Sequence, residues 1–161
     1  MKNTGRITLI DTCTLLEDPG GELFLKNELE GLLSSGEKVI VPLAVVRELE
    51  RIAGKKGTEL AERAGKMLMA VITLREAGFI GIYGDKDDGT FADNVFQKVI
   101  TILGMRYQIT VITQENDLAQ DILAMGHMAS VRRKKITVRK ITPQGKLVEV
   151  LWKGDSPENG N

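Results

Sequence analysis

Short apolar runs alternate with longer stretches of helical periodicity through most of this chain, and no other feature restricts its possible folds so strongly. Residues 6–11, Val39-Ile40-Val41, residues 79–83 and residues 109–113 have the length and β-branched content of buried strands. Between them the apolar positions recur at helical spacing. Leu25, Leu29, Leu32 and Leu33 follow the turn Asp18-Pro19-Gly20-Gly21. Val45, Leu49 and Ile52 follow Pro42, a residue suited to a first helical turn. Thr58 can cap a long helix with Leu60, Ala64, Met67, Leu68 and Val71 inward, ending at Gly78. Val95, Val99, Ile102 and Leu103 mark a helix from about Ala92, and Leu118, Ile122 and Met125 mark another. Strands that alternate with helices predict right-handed crossovers and a mostly parallel sheet. Near the end the pattern changes. Residues 136–142 and 146–152, joined by Pro143-Gln144-Gly145, predict a β-hairpin.

Acidic residues fall where these strands end or helices begin: Asp11, Glu48, Asp93 and the pair Glu115/Asp117. In a parallel α/β sheet such positions lie near one edge, where strand C-termini open into a crevice. Carboxylates gathered there repel one another, and a divalent cation relieves the repulsion. Phosphodiester hydrolysis needs an attacking hydroxide and neutralisation of charge on the phosphate, and oxygen-ligated Mg²⁺ or Mn²⁺ supplies both. The chain therefore reads as a metal-dependent hydrolase. A carboxylate directly after four strand residues is costly to bury without a partner, which puts Asp11 at the centre. Glu48 also has Arg51 one turn away, and Asp93 can act as a helix N-cap.

The 161 residues suit one domain, with 42% apolar but only 4% aromatic residues, so the expected core is aliphatic. The sequence offers no membrane-span or signal-peptide pattern, and the single Cys13 fits a reducing compartment, so the expected location is cytoplasmic. With His127 the only histidine, metal sites built on several histidines are excluded. Charge is unevenly spread despite a net of zero. Residues 1–126 carry 14 Lys/Arg against 19 Asp/Glu, a net of −5, whereas 127–153 carry +7. The basic run Arg132, Arg133, Lys134 and Lys135 suits a grip on a nucleic-acid backbone beside an acidic cleft. Its competing role is to protect the edge of a hairpin that extends the sheet or joins two subunits.

Four segments taken in order resemble the PIN-domain nucleases. They are Ile7-Thr8-Leu9-Ile10-Asp11-Thr12, Val41-Pro42-Leu43-Ala44-Val45-Val46-Arg47-Glu48-Leu49, Asp93-Asn94 at a helix start, and Val111-Ile112-Thr113-Gln114-Glu115-Asn116-Asp117-Leu118-Ala119. The resemblance covers roughly residues 6–131. It implies a three-layer α/β/α sandwich around a mostly parallel sheet, and metal-dependent cleavage of RNA to leave a 3′-hydroxyl and a 5′-phosphate. Residue by residue, Asp11 matches the family's first metal-binding aspartate, Glu48 the glutamate after the second strand, and Asp93 the aspartate opening the helix after the third.

Two positions depart from the pattern. Glu115 stands where the last motif commonly has aspartate, with Asp117 two residues on at a position that is often acidic. Cys13 stands where Asn or Ser is common. Either Glu115 or Asp117 can be the last ligand, or both can share the role through water, with Asp117 the shorter and more rigid of the two. Thr113 can hydrogen-bond a carboxylate or a phosphate oxygen, or simply end its strand.

The expected organisation is a PIN-like nuclease domain over 1–131, a basic hairpin extension over 132–153 and a frayed tail over 154–161. The expected ligands are Asp11, Asp93 and Glu115/Asp117, with Glu48 orienting water or holding a second ion. The expected cofactor is Mg²⁺ or Mn²⁺ and the expected partner RNA. A homo-oligomer, an antitoxin partner or an RNA-processing complex remain open. The rival readings are a catalytically weak PIN-like module for RNA binding or assembly, and the toxin half of a toxin–antitoxin pair.

Overall fold

Six strands form one sheet in the order β3-β2-β1-β4-β5-β6. They are β1 (Gly5–Ile10), β2 (Glu37–Pro42), β3 (Gly81–Tyr83), β4 (Tyr107–Ile112), β5 (Ile136–Ile141) and β6 (Leu147–Val150). The computed structural model describes residues 5–55, 57–84, 92–128 and 135–154. Every neighbouring pair is parallel except β5–β6. The C-terminal hairpin thus continues the central sheet, with β5 alongside β4 from Ile109↔Ile136 to Ile112↔Arg139.

Three short helices, α1 (Thr12–Leu15), α2 (Gly20–Asn27) and α3 (Leu29–Ser34), connect β1 to β2. Then α4 (Leu43–Ala53) and α5 (Glu59–Glu76) connect β2 to β3, α6 (Ala92–Leu103) leads to β4, and α7 (Asn116–Met128) leads towards β5. Helices cover both faces of the sheet. A β-carbon on Gly20 of α2 would lie 3.2 Å from Ile141, whereas one on Gly126 of α7 would lie 3.4 Å from Ile136. Those isoleucines are five residues apart on β5, so they point to opposite faces. The architecture is an α/β/α sandwich with a mostly parallel sheet, as the sequence predicts.

The aliphatic core is also present. Ile7, Leu9, Ile10, Val39, Val41, Ile109, Val111, Ile112 and Val138 line the sheet, packed against Leu15, Phe24, Leu49, Phe96, Ile100 and Ile122. Thr58 caps α5, its hydroxyl accepting from the Ala61 N–H at 3.0 Å. Gly78, with φ +84°, turns the chain out of that helix.

Local details differ from the sequence reading. The single helix expected after Asp18-Pro19 is two, interrupted at Glu28, and α1 was not foreseen because four residues carry no periodicity. Leu60, expected inward, is 45% exposed: the buried stripe of α5 is Ala61, Ala64, Met67 and Val71. Ile102 is 54% exposed for the same reason, since α6 buries Val95, Phe96, Val99 and Ile100. Each misplaced residue neighbours or trails the true stripe by a step that rotates it off the buried face. No helix among the described residues is long and apolar enough to cross a membrane.

Candidate metal centre

The order of strands reverses at β1: the chain adds β2 and then β3 on one side, then crosses back to add β4 on the other. The crevice at the C-terminal ends of β1 and β4 is thus the topological switch point, where parallel α/β sheets leave room for ligands. Asp11 and Thr113 are the residues that leave these two strands. The register running from Gly5↔Tyr107 to Ile10↔Ile112 sets them side by side, and the Asp11 N–H donates to the Ile112 carbonyl at 3.0 Å.

Asp11 is 3% exposed. Its Oδ1 accepts from the Thr12 N–H at 2.7 Å, and its Oδ2 accepts from the Thr113 hydroxyl at 2.8 Å and the Cys13 thiol at 3.0 Å. Charge-assisted bonds of this kind offset the cost of desolvating the carboxylate and fix its direction. Thr113 works both ways, because its oxygen also accepts from the Glu115 N–H at 3.1 Å. One buried hydroxyl therefore ties the carboxylate at the end of β1 to the loop that carries Glu115. Thr14 adds a further tie, its hydroxyl donating to the Ile112 carbonyl at 3.1 Å.

Ligand atoms of Asp11, Cys13 and Glu115 all lie within 4.8 Å of one another, a grouping that could hold a metal ion. Of the two acidic residues in the last motif, Glu115 is therefore the one beside Asp11. Asp117 opens α7 and faces an adjoining cleft of about 490 Å³, lined also by Gln97, Glu115, Asn116 and Asp121. Asp121 was passed over in the sequence, although it stands four residues after Asp117 and so on the same side of the helix. Cys13 is held as a thiol. Burial, and then the charge of Asp11, push its pKa up to about 12.

The remaining candidates are distributed differently. Asp93 belongs to the first turn of α6, four residues before the cleft residue Gln97, and its side chain lies outside the described residues. Glu48 is half-buried on α4 and lies 3.8 Å from Arg51 in an ion pair; it is not part of the three-residue grouping. Lys135 is exposed at the other end of the sheet. With Arg6, Glu37, Gln108, Thr110, Thr137 and Arg139 it lines a polar groove of about 150 Å³. Arg132, Arg133 and Lys134 lie outside the described residues.

No protein-family model matches the sequence, and no curated protein matches it. Solved structures do. One, the PIN domain endonuclease Utp24, superposes with a TM-score of 0.57 at 18% identity, over 92% of this chain and 96% of that one. The fold is that of a PIN domain. A domain of a functionally unknown protein from Methanocaldococcus jannaschii DSM 2661 matches with a TM-score of 0.54, also at 18% identity, over 91% of this chain and 99% of that one. Both superpositions extend over nine-tenths of the chain, more than the roughly 6–131 in which the PIN-like sequence motifs lie. Gln114 shows how the hairpin joins the PIN fold. Its side chain accepts from the Ile141 N–H at 2.8 Å and donates to the Ile141 carbonyl at 3.1 Å, pinning the end of β5 beside the end of β4.

Proposed function

We propose that this chain is a divalent-metal-dependent endoribonuclease that hydrolyses RNA phosphodiester bonds at the C-terminal ends of β1 and β4. The observation that carries the reading is the Asp11 carboxylate, 3% exposed at the switch point with Glu115 in the same 4.8 Å grouping. Two hard carboxylates so close together repel, a cation between them relieves the repulsion, and oxygen donors suit Mg²⁺ or Mn²⁺. When bound, such a cation supplies charge neutralisation at the scissile phosphate and a lowered pKa for the attacking water.

The chain's own residues do the rest. Asp11 and Glu115 hold the cation, with Asp93 and Asp117 completing its surroundings from α6 and α7. Thr113 fixes the direction of Asp11. Glu48 orients water or binds a second ion after leaving Arg51, an exchange that costs little because exposed ion pairs are weak. The basic residues from Arg132 to Lys135, together with Arg139, hold the RNA backbone. The same ion pair at Glu48 also favours the second reading, a catalytically weak PIN-like module that binds RNA or serves assembly.

The test is incubation of a generic single-stranded RNA with Mn²⁺, with and without EDTA. Cleavage to 5′-phosphate and 3′-hydroxyl ends is expected, lost with EDTA and reduced at least about a hundredfold by Asp11→Asn, beyond what loss of an outer partner of a metal ligand costs. Cleavage that survives EDTA, or is unchanged in Asp11→Asn, overturns the proposal. Binding without cleavage selects the second reading.

A further inference from the structure

The sulfur of Cys13 sits among the carboxylates and not in the aliphatic core. It lies 3.0 Å from Asp11 Oδ2 and 3.5 Å from Thr113 Oγ1, and it accepts the Gln114 N–H at 3.3 Å. The sulfur and carboxylate oxygens of Asp11 and Glu115 all lie within 4.8 Å of one another. Sulfur and oxygen differ sharply in what they bind. Carboxylate oxygens hold Mg²⁺ and Mn²⁺, to which a thiol adds nothing, whereas a thiolate beside carboxylates is a good donor set for Zn²⁺ or Cd²⁺. Ligand atoms this close can be bridged by one tetrahedral ion after modest side-chain adjustment.

We infer that Cys13 sets the metal selectivity of the site, so that Zn²⁺-like ions are captured through its sulfur and displace the activating cation. The inference rests on the proposed reading of Asp11 and Glu115 as cation ligands. With Mg²⁺ or Mn²⁺ the S–H bond stays intact and the thiol remains a hydrogen-bond donor to Asp11. With Zn²⁺ or Cd²⁺ the S–H bond breaks, a sulfur–metal bond forms, and the proton passes to solvent; no electrons are exchanged. A serine at this position would keep the polar contact to Asp11 but not the soft donor. Cys13 thereby makes the enzyme sensitive to thiophilic ions that an all-oxygen site would hold less tightly.

The experiment uses the full chain, its Cys13→Ser variant and its Asp11→Asn variant. Because Cys13 is the only cysteine, a sulfur-to-cadmium absorption band reports on that atom alone. The wild type is expected to develop the band with one equivalent of Cd²⁺, and Cys13→Ser to lack it while still gaining thermal stability from Mn²⁺. Zn²⁺ is expected to displace Mn²⁺ at least about tenfold more effectively from the wild type than from Cys13→Ser, the scale on which a ligand's surroundings alter metal affinity. Asp11→Asn is expected to weaken the band's affinity for Cd²⁺.

Mn²⁺ stabilisation of the wild type with no cadmium band would overturn the inference and leave the cation site standing. A band of unchanged affinity in Asp11→Asn would also overturn it, since the thiol would then be binding cadmium alone. Absence of stabilisation by Mn²⁺ and Cd²⁺ alike would remove the cation site, and the inference with it.

Discussion

The two ends of the central sheet are built from the same strands and carry opposite chemistry. At the C-terminal ends of β1 and β4, acidic groups converge and are locked: Asp11 is buried and accepts three hydrogen bonds, and Thr113 ties it to the Glu115 loop. At the N-terminal ends, Arg6 and Lys135 open a polar groove that also holds Glu37 and runs along the sheet to Arg139, which is level with Ile112. Register places Lys135 level with Gln108 and Arg6, five residues before Asp11, or about 16 Å away along the strands. On the proposed function, the difference is a division of labour. Directional, desolvated groups suit chemistry, which depends on precise placement, whereas exposed cations suit a grip on phosphates, which depends on summed charge.

Breaking the locked end should have the larger effect. Thr113→Val removes the donor to Asp11 and the acceptor for the Glu115 N–H while nearly keeping shape. On the proposed reading of Asp11 as a metal ligand, RNA cleavage in single-turnover assays is expected to fall by about 10- to 100-fold, the cost of losing a partner of such a ligand. The variant is also expected to lose about 1–3 kcal/mol of stability in denaturant titration, because buried polar groups lose their partners. A Thr113→Val enzyme with wild-type turnover would mean that the hydrogen-bonded lock is dispensable.

The groove that begins at the open end should respond differently. Neutralising both Lys135 and Arg139 with alanine is expected to weaken RNA binding and to flatten the slope of log affinity against log salt by about 1.4, for two single-strand phosphate contacts. Turnover at saturating RNA should hold. An unchanged slope, or a loss confined to turnover, would erase the contrast between the ends. Smaller still is Lys66→Met, which breaks an exposed pair with Glu22 whose partners are 2.8 Å apart. Its effect on the thermal midpoint should be small, well below that of Thr113→Val.

Much of this was legible in the sequence, for identifiable reasons. The parallel sheet followed from the alternation of runs such as 109–113 with helical stripes, because burial on both faces leaves continuous apolar strands. Asp11 stood out because a carboxylate after Ile7-Thr8-Leu9-Ile10 needs a partner. What could not be read was which side chains meet across the fold. That Glu115, and not Asp117, groups with Asp11 and Cys13 depends on the Thr113 bond to its loop. Cys13 stood out only as a departure from the Asn or Ser common at its place, and only the β1–β4 register brings the Gln114 N–H to its sulfur. Asp121 lies in the cleft because α7 continues one turn past Asp117, a spacing present in the sequence but without a motif to single it out.

The bond between Thr113 and Asp11 joins positions 102 apart in the chain. On a ribosome, the aspartate is made long before its partner. Until β4 has been synthesised and laid against β1, Asp11 has neither the hydroxyl that aims it nor the loop that brings Glu115. An incomplete chain therefore carries the acidic residue without its setting, and any activity that depends on both must wait for the long-range pairing to close. Assembly of the sheet is itself the gate on the site.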